Sequence, residues 1–232
     1  MENKYHYFVS GSVGVGKTSI INNFICKYGN ELSLCVIKEY IDFDCYGYQK
    51  LEDWIEGRIK LIEFQTYIVE QFRKQLDTPQ YRNSKFVLWE RHPEEALRIF
   101  ATDLIDEDRF TLEKKINELE CEFNIPEIND CGIMEHSLKI PNYGISEKVI
   151  SKIIYEEMLT NIFNDSWECT FIFIYIPEEF IQEQQRRIFN RNRPKEVETY
   201  KNLLNLQKLN AKYINFANTY LSGKYLTGST YN

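Results

Sequence analysis

No stretch of this chain is apolar for long enough to cross a bilayer: its most apolar run, TFIFIYI, spans seven residues, against the roughly 20 that a spanning helix needs. Positive charge is also in deficit. Lys plus Arg number 28 against 35 Asp plus Glu, for a net charge of −7, so the expectation is no nucleic acid and no membrane held through bulk electrostatics. Any polyanion the protein binds must be gripped locally. The six cysteines, at 26, 35, 45, 121, 131 and 169, form no C-x-x-C and no Cys/His pairing that would suit a zinc site or a redox dithiol. The opening residues, MENKYHYFVSG, carry no apolar stretch of the roughly 7–15 residues that a signal peptide contains. These absences lead us to expect a soluble chain with reduced thiols, cytoplasmic or in another reduced intracellular compartment. At 43% hydrophobic over 232 residues, the composition excludes disorder and collagen and suits one domain, 1–232, with a substantial core.

Residues 5–10 (YHYFVS) form an aromatic and β-branched run that stops at Gly11, as a buried strand does before a glycine turn. LSLCVIKEY (32–40), KFVLWE (85–90) and CTFIFIYI (169–176) share that strand character. Between them, apolar residues recur at helical spacing. The clearest case is 58–77, where Leu61, Phe64, Ile68, Val69, Phe72 and Leu76 share one arc, opposite Lys60, Glu63, Glu70, Arg73 and Lys74. Further helices are expected over Thr18–Tyr28, Pro93–Leu104, Ser146–Phe163, Glu178–Asn190 and Glu196–Leu221. Strands alternating with helices predict an α/β fold with a central parallel sheet of about five strands covered on both faces. The segment 105–145 is mixed. A charged helical piece, TLEKKINELE, precedes a loop-like stretch holding Pro126, Gly132, Pro141 and Gly144, and the whole reads as an insertion.

The string Gly11-Ser12-Val13-Gly14-Val15-Gly16-Lys17-Thr18, followed by Ser19, fits G-x-x-x-x-G-K-S/T between an expected strand and an expected helix. Three of the chain's ten glycines lie here, where the missing Cβ lets consecutive N–H groups turn toward phosphate oxygens at a positive helix end. In such a loop Lys17 bridges the β- and γ-phosphates of ATP and the Thr18 hydroxyl ligates Mg²⁺. A GTPase would carry an N-K-x-D guanine reader, and the chain has none.

Moving a phosphoryl group to a hydroxyl needs a carboxylate to take the proton, a carboxylate for the metal, and cations for the spreading charge. Glu39 follows the second strand at the sheet edge where open α/β folds bind ligands. Glu90 ends the third strand, where burial requires a facing cation, either Mg²⁺ or the adjacent Arg91. Gln65 interrupts the apolar arc of the 58–77 helix. Its amide there needs a partner, either a nucleobase edge or a nearby backbone group. The run RRIFNRNRPKE (186–196) is dense in cations, and Arg187 and Arg191 share a helix face. It suits an arginine lid over the transferred phosphate, 187–196, although a solvated basic face or a nucleic-acid patch shares the pattern.

Together these residues resemble the deoxynucleoside kinase family, most of all the herpesvirus-type thymidine kinases and the cellular and insect deoxynucleoside kinases. Glu39-Tyr40-Ile41 is similar to the family's E-P-x, with Tyr40 in place of proline. Phe64-Gln65-Thr66-Tyr67 resembles its F-Q-x-Y, and Glu90-Arg91-His92-Pro93-Glu94-Glu95-Ala96 its D-R-H-P-x-A-A. Arg191-Asn192-Arg193-Pro194-Lys195-Glu196 resembles the viral R-Q-R-P-G-E lid, and Pro177-Glu178-Glu179 the viral P-E-D.

The resemblance implies that Gln65 reads the base between Phe100 and Ile68, and that Arg91 meets the 5′-oxygen or the arriving phosphate. It also implies that Arg187, Arg191 and Arg193 hold phosphates, that Glu90 helps hold Mg²⁺ and that Glu196 holds the sugar 3′-hydroxyl. A homodimer is implied as well. Two departures touch the sugar and base: Trp54 stands where relatives place a tyrosine for the 3′-hydroxyl, and Asp44 stands where they place an aromatic residue. Relatives that prefer cytidine or purines carry aspartate at the position of Ala96, so alanine favours thymidine over an amine-bearing base. The expected activity is transfer of the γ-phosphoryl of ATP to the 5′-hydroxyl of a deoxynucleoside, with Glu39 as proton acceptor. Its rivals are a nucleoside monophosphate kinase and a catalytically silent nucleotide-binding interaction protein.

Overall fold

In a computed structural model that describes residues 4–137, 144, 146–164 and 169–220, the run YHYFVS is buried at every position and forms β1 (Tyr5–Ser10). The glycine loop leads into α1 (Lys17–Tyr28), and β2 (Leu34–Ile37) follows. Two short helices the sequence did not announce, α2 (Tyr40–Phe43) and α3 (Gly47–Ile55), precede α4 (Leu61–Leu76) and α5 (Pro79–Asn83). Next come β3 (Phe86–Glu90), a π-helical turn (Ala96–Phe100), α6 (Asp106–Phe123) and β4 (Gly132–Ser137). The chain then runs through α7 (Glu147–Asn164), β5 (Cys169–Tyr175), α8 (Ile181–Asn190), α9 (Pro194–Tyr200) and α10 (Leu203–Tyr220).

All five strands pair in parallel, in the order β2-β3-β1-β5-β4. Side chains alternate between the two faces of each strand. Phe8, Val87, Trp89 and Phe171 point to one side, under Val69, Phe72 and Leu76 of α4, Leu112 and Ile116 of α6, and Tyr213 and Phe216 of α10. Tyr7, Val9, Leu88 and Ile172 point to the other, under Ile20 and Phe24 of α1 and Ile150 and Ile154 of α7. Fully burying each such aliphatic or aromatic side chain is worth roughly 1.5–3 kcal/mol, so the two helical layers are fixed by the alternation within three adjacent strands.

The structure revises several boundaries. The 105–145 stretch, expected as an insertion, supplies α6 against α4 and the edge strand β4, which pairs with β5 from Gly132 to Ser137. The helix expected over Pro93–Leu104 is instead a turn after His92 followed by the π-helical turn. The long last helix is two, because the Asn202 side chain accepts from the Leu204 N–H at 3.1 Å and caps a new start. Leu221 and Pro141 lie outside the described residues. Among the described residues no helix is long and apolar enough to cross a membrane.

Candidate active site

The loop after β1 turns on backbone that only glycine adopts easily. Gly11 has φ 142°, and a Cβ there would meet the Ile174 carbonyl oxygen at 2.1 Å. Gly14 and Gly16 are also left-handed, and Lys17, the first residue of α1, is buried with its ammonium donating to the carbonyls of Gly11 at 3.0 Å and Ser12 at 3.1 Å. Burial and the neighbouring Arg91 lower its pKa to about 8. The Ser12 hydroxyl is buried in the loop and has no partner among the described residues. Val15 packs beneath the loop, while Val13 reaches the cavity described below. Ser19 points to solvent on α1.

Because β2 and β3 are adjacent and parallel, their carboxyl ends bring Glu39 and Glu90 to the loop. Glu90 is buried and accepts from the Thr18 hydroxyl at 2.6 Å. Burial and then the nearby Glu39 raise its pKa to about 7. Of the two cations that could face Glu90, Arg91 is turned elsewhere. Instead of facing Glu90 it pairs with Glu39 and Glu95. It follows Glu90 in the chain with φ 76°, a left-handed conformation that is strained for any residue but glycine, so it turns out of the strand's alternation. Burial works against ionising Glu39, but Arg91 and then Lys17 outweigh it and hold the Glu39 pKa near 2. Oxygens of Glu39, Asp42 and Glu90 lie within 4.8 Å of one another. This is an all-oxygen group of the hard donor type that suits Mg²⁺.

A cavity of about 640 Å³ opens beside these groups. Lys17, Glu39 and Arg91 stand at one part of its wall. Trp54, Gln65, Ile68, Ala96, Phe100, Arg191 and Glu196 also line it. Trp54 stacks on Phe64 with ring centres 5.1 Å apart.

Three buried glutamines on α4 behave differently. Gln75 accepts from the Lys38 N–H at 2.8 Å and donates to the Lys38 carbonyl at 2.9 Å, tying α4 to the end of β2. Gln71, with its amide turned to suit its neighbours, donates to Asp44 at 3.2 Å. Gln65 alone carries a buried amide oxygen with no partner among the described residues. Of the two partners considered for it, a backbone group is therefore not what this oxygen has. The second carboxylate oxygen of Glu196 is unpartnered in the same way.

The three arginines expected to form a lid, Arg187, Arg191 and Arg193, are not equivalent. Arg191 faces the cavity. Arg193 donates to Glu196 at 3.1 Å and, across the cleft, to Asp42 at 3.0 Å. Arg187 pairs with Glu183 at 3.2 Å and Glu147 at 3.6 Å, outside the cavity wall. Lys195 completes the docking of α9, with its ammonium on Glu56 at 3.0 Å and its backbone N–H on the Tyr48 hydroxyl at 3.1 Å. Reading a basic run gives no account of the acids waiting opposite it, which are Asp42 in α2 and Glu56 directly after α3.

Four wall or anchor residues escaped the sequence reading. Tyr40 and Tyr200 line the cavity near Glu196, and burial raises both phenol pKa values, that of Tyr200 to about 12. Glu95 lies in the wall with its carboxylate bonded to Arg91, to the His92 N–H and to the Tyr213 hydroxyl. Tyr213, on α10, looks in the sequence like one more core aromatic.

The parallel sheet order β2-β3-β1-β5-β4 and the glycine loop between β1 and α1 define a P-loop kinase-like α/β fold. No family model matches the chain, and no curated protein matches it. Among solved structures it is similar to the deoxyadenosine kinase from M. mycoides with bound dATP, at 20% identity over 81% of this chain and 98% of that one, with a TM-score of 0.40.

Proposed function

We propose that the protein transfers the γ-phosphoryl of MgATP to the 5′-hydroxyl of a deoxynucleoside, with thymidine preferred. One observation carries this reading. Lys17, Arg91 and Arg191 line the same cavity of about 640 Å³ as Gln65, whose buried amide oxygen has no partner among the described residues. An amide buried with an unpartnered acceptor costs about 1–3 kcal/mol, and a nucleobase N–H satisfies it.

Lys17 and the loop N–H groups hold the β- and γ-phosphates, with the unpartnered Ser12 hydroxyl as a further donor. Thr18 and Glu90 would hold Mg²⁺, which would supply charge neutralisation on the phosphate oxygens. Gln65 orients the base, with Phe100 and Ile68 on its faces, and Glu196 accepts from the 3′-hydroxyl, with the Tyr40 and Tyr200 phenols nearby. Glu39 accepts the hydrogen bond of the 5′-hydroxyl and takes its proton as the new phosphorus–oxygen bond forms and the bond from the γ-phosphorus to ADP breaks. As the incoming phosphoryl oxygens share the charge of Arg91, the hold of that cation on the acidity of Glu39 weakens, and proton acceptance becomes easier as transfer proceeds.

The preference for thymidine rests on the buried Ala96 in the wall, which offers no acceptor to an exocyclic amine. The adjacent Glu95 has its oxygens engaged by protein donors. The test is ADP release from MgATP with thymidine, deoxycytidine, deoxyadenosine or deoxyguanosine. Nucleoside-dependent release led by thymidine supports the reading. Release of ADP that ignores all four nucleosides defeats it.

A further inference from the structure

Two buried groups have no part in the transfer just described: the carboxylate of Glu95, 1% exposed, and the hydroxyl of Tyr213, also 1% exposed. Both converge on one nitrogen. Arg91 Nη1 donates to the Gly11 carbonyl at 3.0 Å, to Glu95 at 3.2 Å and to the Tyr213 hydroxyl, which in turn donates to Glu95 at 3.0 Å. The guanidinium also lies 5.6 Å from the centre of the Tyr213 ring and 5.1 Å from that of Phe100. Nε is committed to Glu39. Nη2 alone has no hydrogen bond among the described residues, and it belongs to a side chain that lines the cavity.

We infer that Tyr213, relayed through Glu95, is a positioning residue for the transfer: it fixes Arg91 so that Nη2 is presented to the transferred phosphoryl group and Nε remains on Glu39. This inference rests on the proposed kinase reading. A guanidinium carries five N–H groups in a rigid fork. Locking one nitrogen on three acceptors and a second on a carboxylate determines where the third points. The need for such a brace follows from the backbone. Arg91 sits at φ 76°, and a strained residue keeps its geometry only when its surroundings over-determine it. The brace comes from α10, so it couples that helix to the reacting centre. Tyr213 touches neither substrate in this scheme and acts only through Arg91.

The test compares wild type with Tyr213→Phe, Arg91→Lys and the double variant at saturating MgATP and thymidine. Tyr213→Phe keeps the ring and removes the hydroxyl. The expected result is a kcat lower by roughly 10- to 100-fold, KM values for both substrates within about 3-fold, and no further loss when Tyr213→Phe is added to Arg91→Lys. A kcat within about 2-fold of wild type, or losses that multiply in the double variant, overturns the inference. Should Tyr213→Phe not fold, Glu95→Gln is read against the same criteria, since it weakens the other arm of the brace. If wild type phosphorylates no nucleoside, the kinase reading falls while the brace is still read directly from the Arg91 guanidinium NMR signals. Slow hydrogen exchange at Nη1 in wild type that accelerates in the variant supports it, and equal exchange in the two refutes it.

Discussion

The carboxylates of Glu39 and Glu90, delivered by the neighbouring ends of β2 and β3, offer oxygens within 4.8 Å of one another, yet their environments push them apart in acidity. Burial and the charge of Glu39 lift Glu90 to about 7. Glu39 is buried too, but Arg91 and Lys17 hold it at about 2. Two acids separated in this way take different tasks. In the proposed reaction the one facing Arg91 receives a proton from the substrate, and the one facing Thr18 serves the cation.

Replacing Glu39 with Gln keeps the shape and removes the charge. We expect kcat to fall by roughly 10²–10⁴-fold, with the Kd for nucleoside, measured by calorimetry, within about 3-fold. Undiminished turnover would assign Glu39 a structural role only.

Gln65→Leu removes the unpartnered buried oxygen, so the folded state should gain about 1 kcal/mol in denaturant titration. The same change should erase discrimination among nucleosides, with kcat/KM ratios collapsing by roughly 10-fold or more. A variant that loses stability and keeps wild-type preference would place the amide's partner inside the protein.

Behind the cavity wall, Glu120 on α6 has a buried oxygen with no hydrogen-bond partner among the described residues, 3.9 Å from Nδ1 of the wall residue His92. The imidazole gives it no positive charge: burial lowers His92 to about 4, its Nδ1 accepts from the Glu94 N–H at 3.1 Å, and its ring lies 3.0 Å from the Pro126 carbonyl through Nε2. Burial, Glu94 and Glu127 raise Glu120 from 4.5 to about 8, with Arg98 opposing them. The folded protein therefore keeps a proton that the unfolded chain releases. Glu120 contributes its full stabilisation below pH 4.5 and loses it as pH rises through 8. Glu120→Gln mimics the protonated acid. It should match wild type near pH 4.5 and exceed it by on the order of 2 kcal/mol at pH 9. Thermal melts across that range check this, and a constant difference would refute it.

Arg193 was expected on phosphate and is found on Asp42 and Glu196. Asp42→Asn removes the competing charge across the cleft. We expect the KM for ATP to fall by about 2- to 5-fold, with a weaker dependence on salt. A rise in KM would instead give Asp42 a share in holding the cation beside Glu39 and Glu90.

Much of this was legible because the determinants are local. The glycine loop, the apolar stripe of α4 with Gln65 inside it, and the two acids at strand ends each announce themselves within a few residues. What was hidden depended on distant partners. The string GIMEHS has only two apolar side chains, Ile133 and Met134, and opens on a glycine, so it does not read as a strand. It forms β4 because an edge position needs pairing from β5 on one side only. The Pro93–Leu104 spacing matched an α-helix, while the buried His92 and the bonds its ring makes shape the turn before the π-helical segment. Tyr213 shares its apolar helix face with Phe216, and nothing in its neighbourhood of sequence reveals that its hydroxyl ends on Arg91.

The most direct test of the central claim is the identity of the product. Thymidine and MgATP, incubated with wild type and with Glu39→Gln and resolved by mass spectrometry, should give thymidine 5′-monophosphate with wild type and almost none with the variant. Thymidine recovered intact, alongside conversion of added thymidine monophosphate to the diphosphate, would contradict the account and identify an acceptor that already carries phosphate.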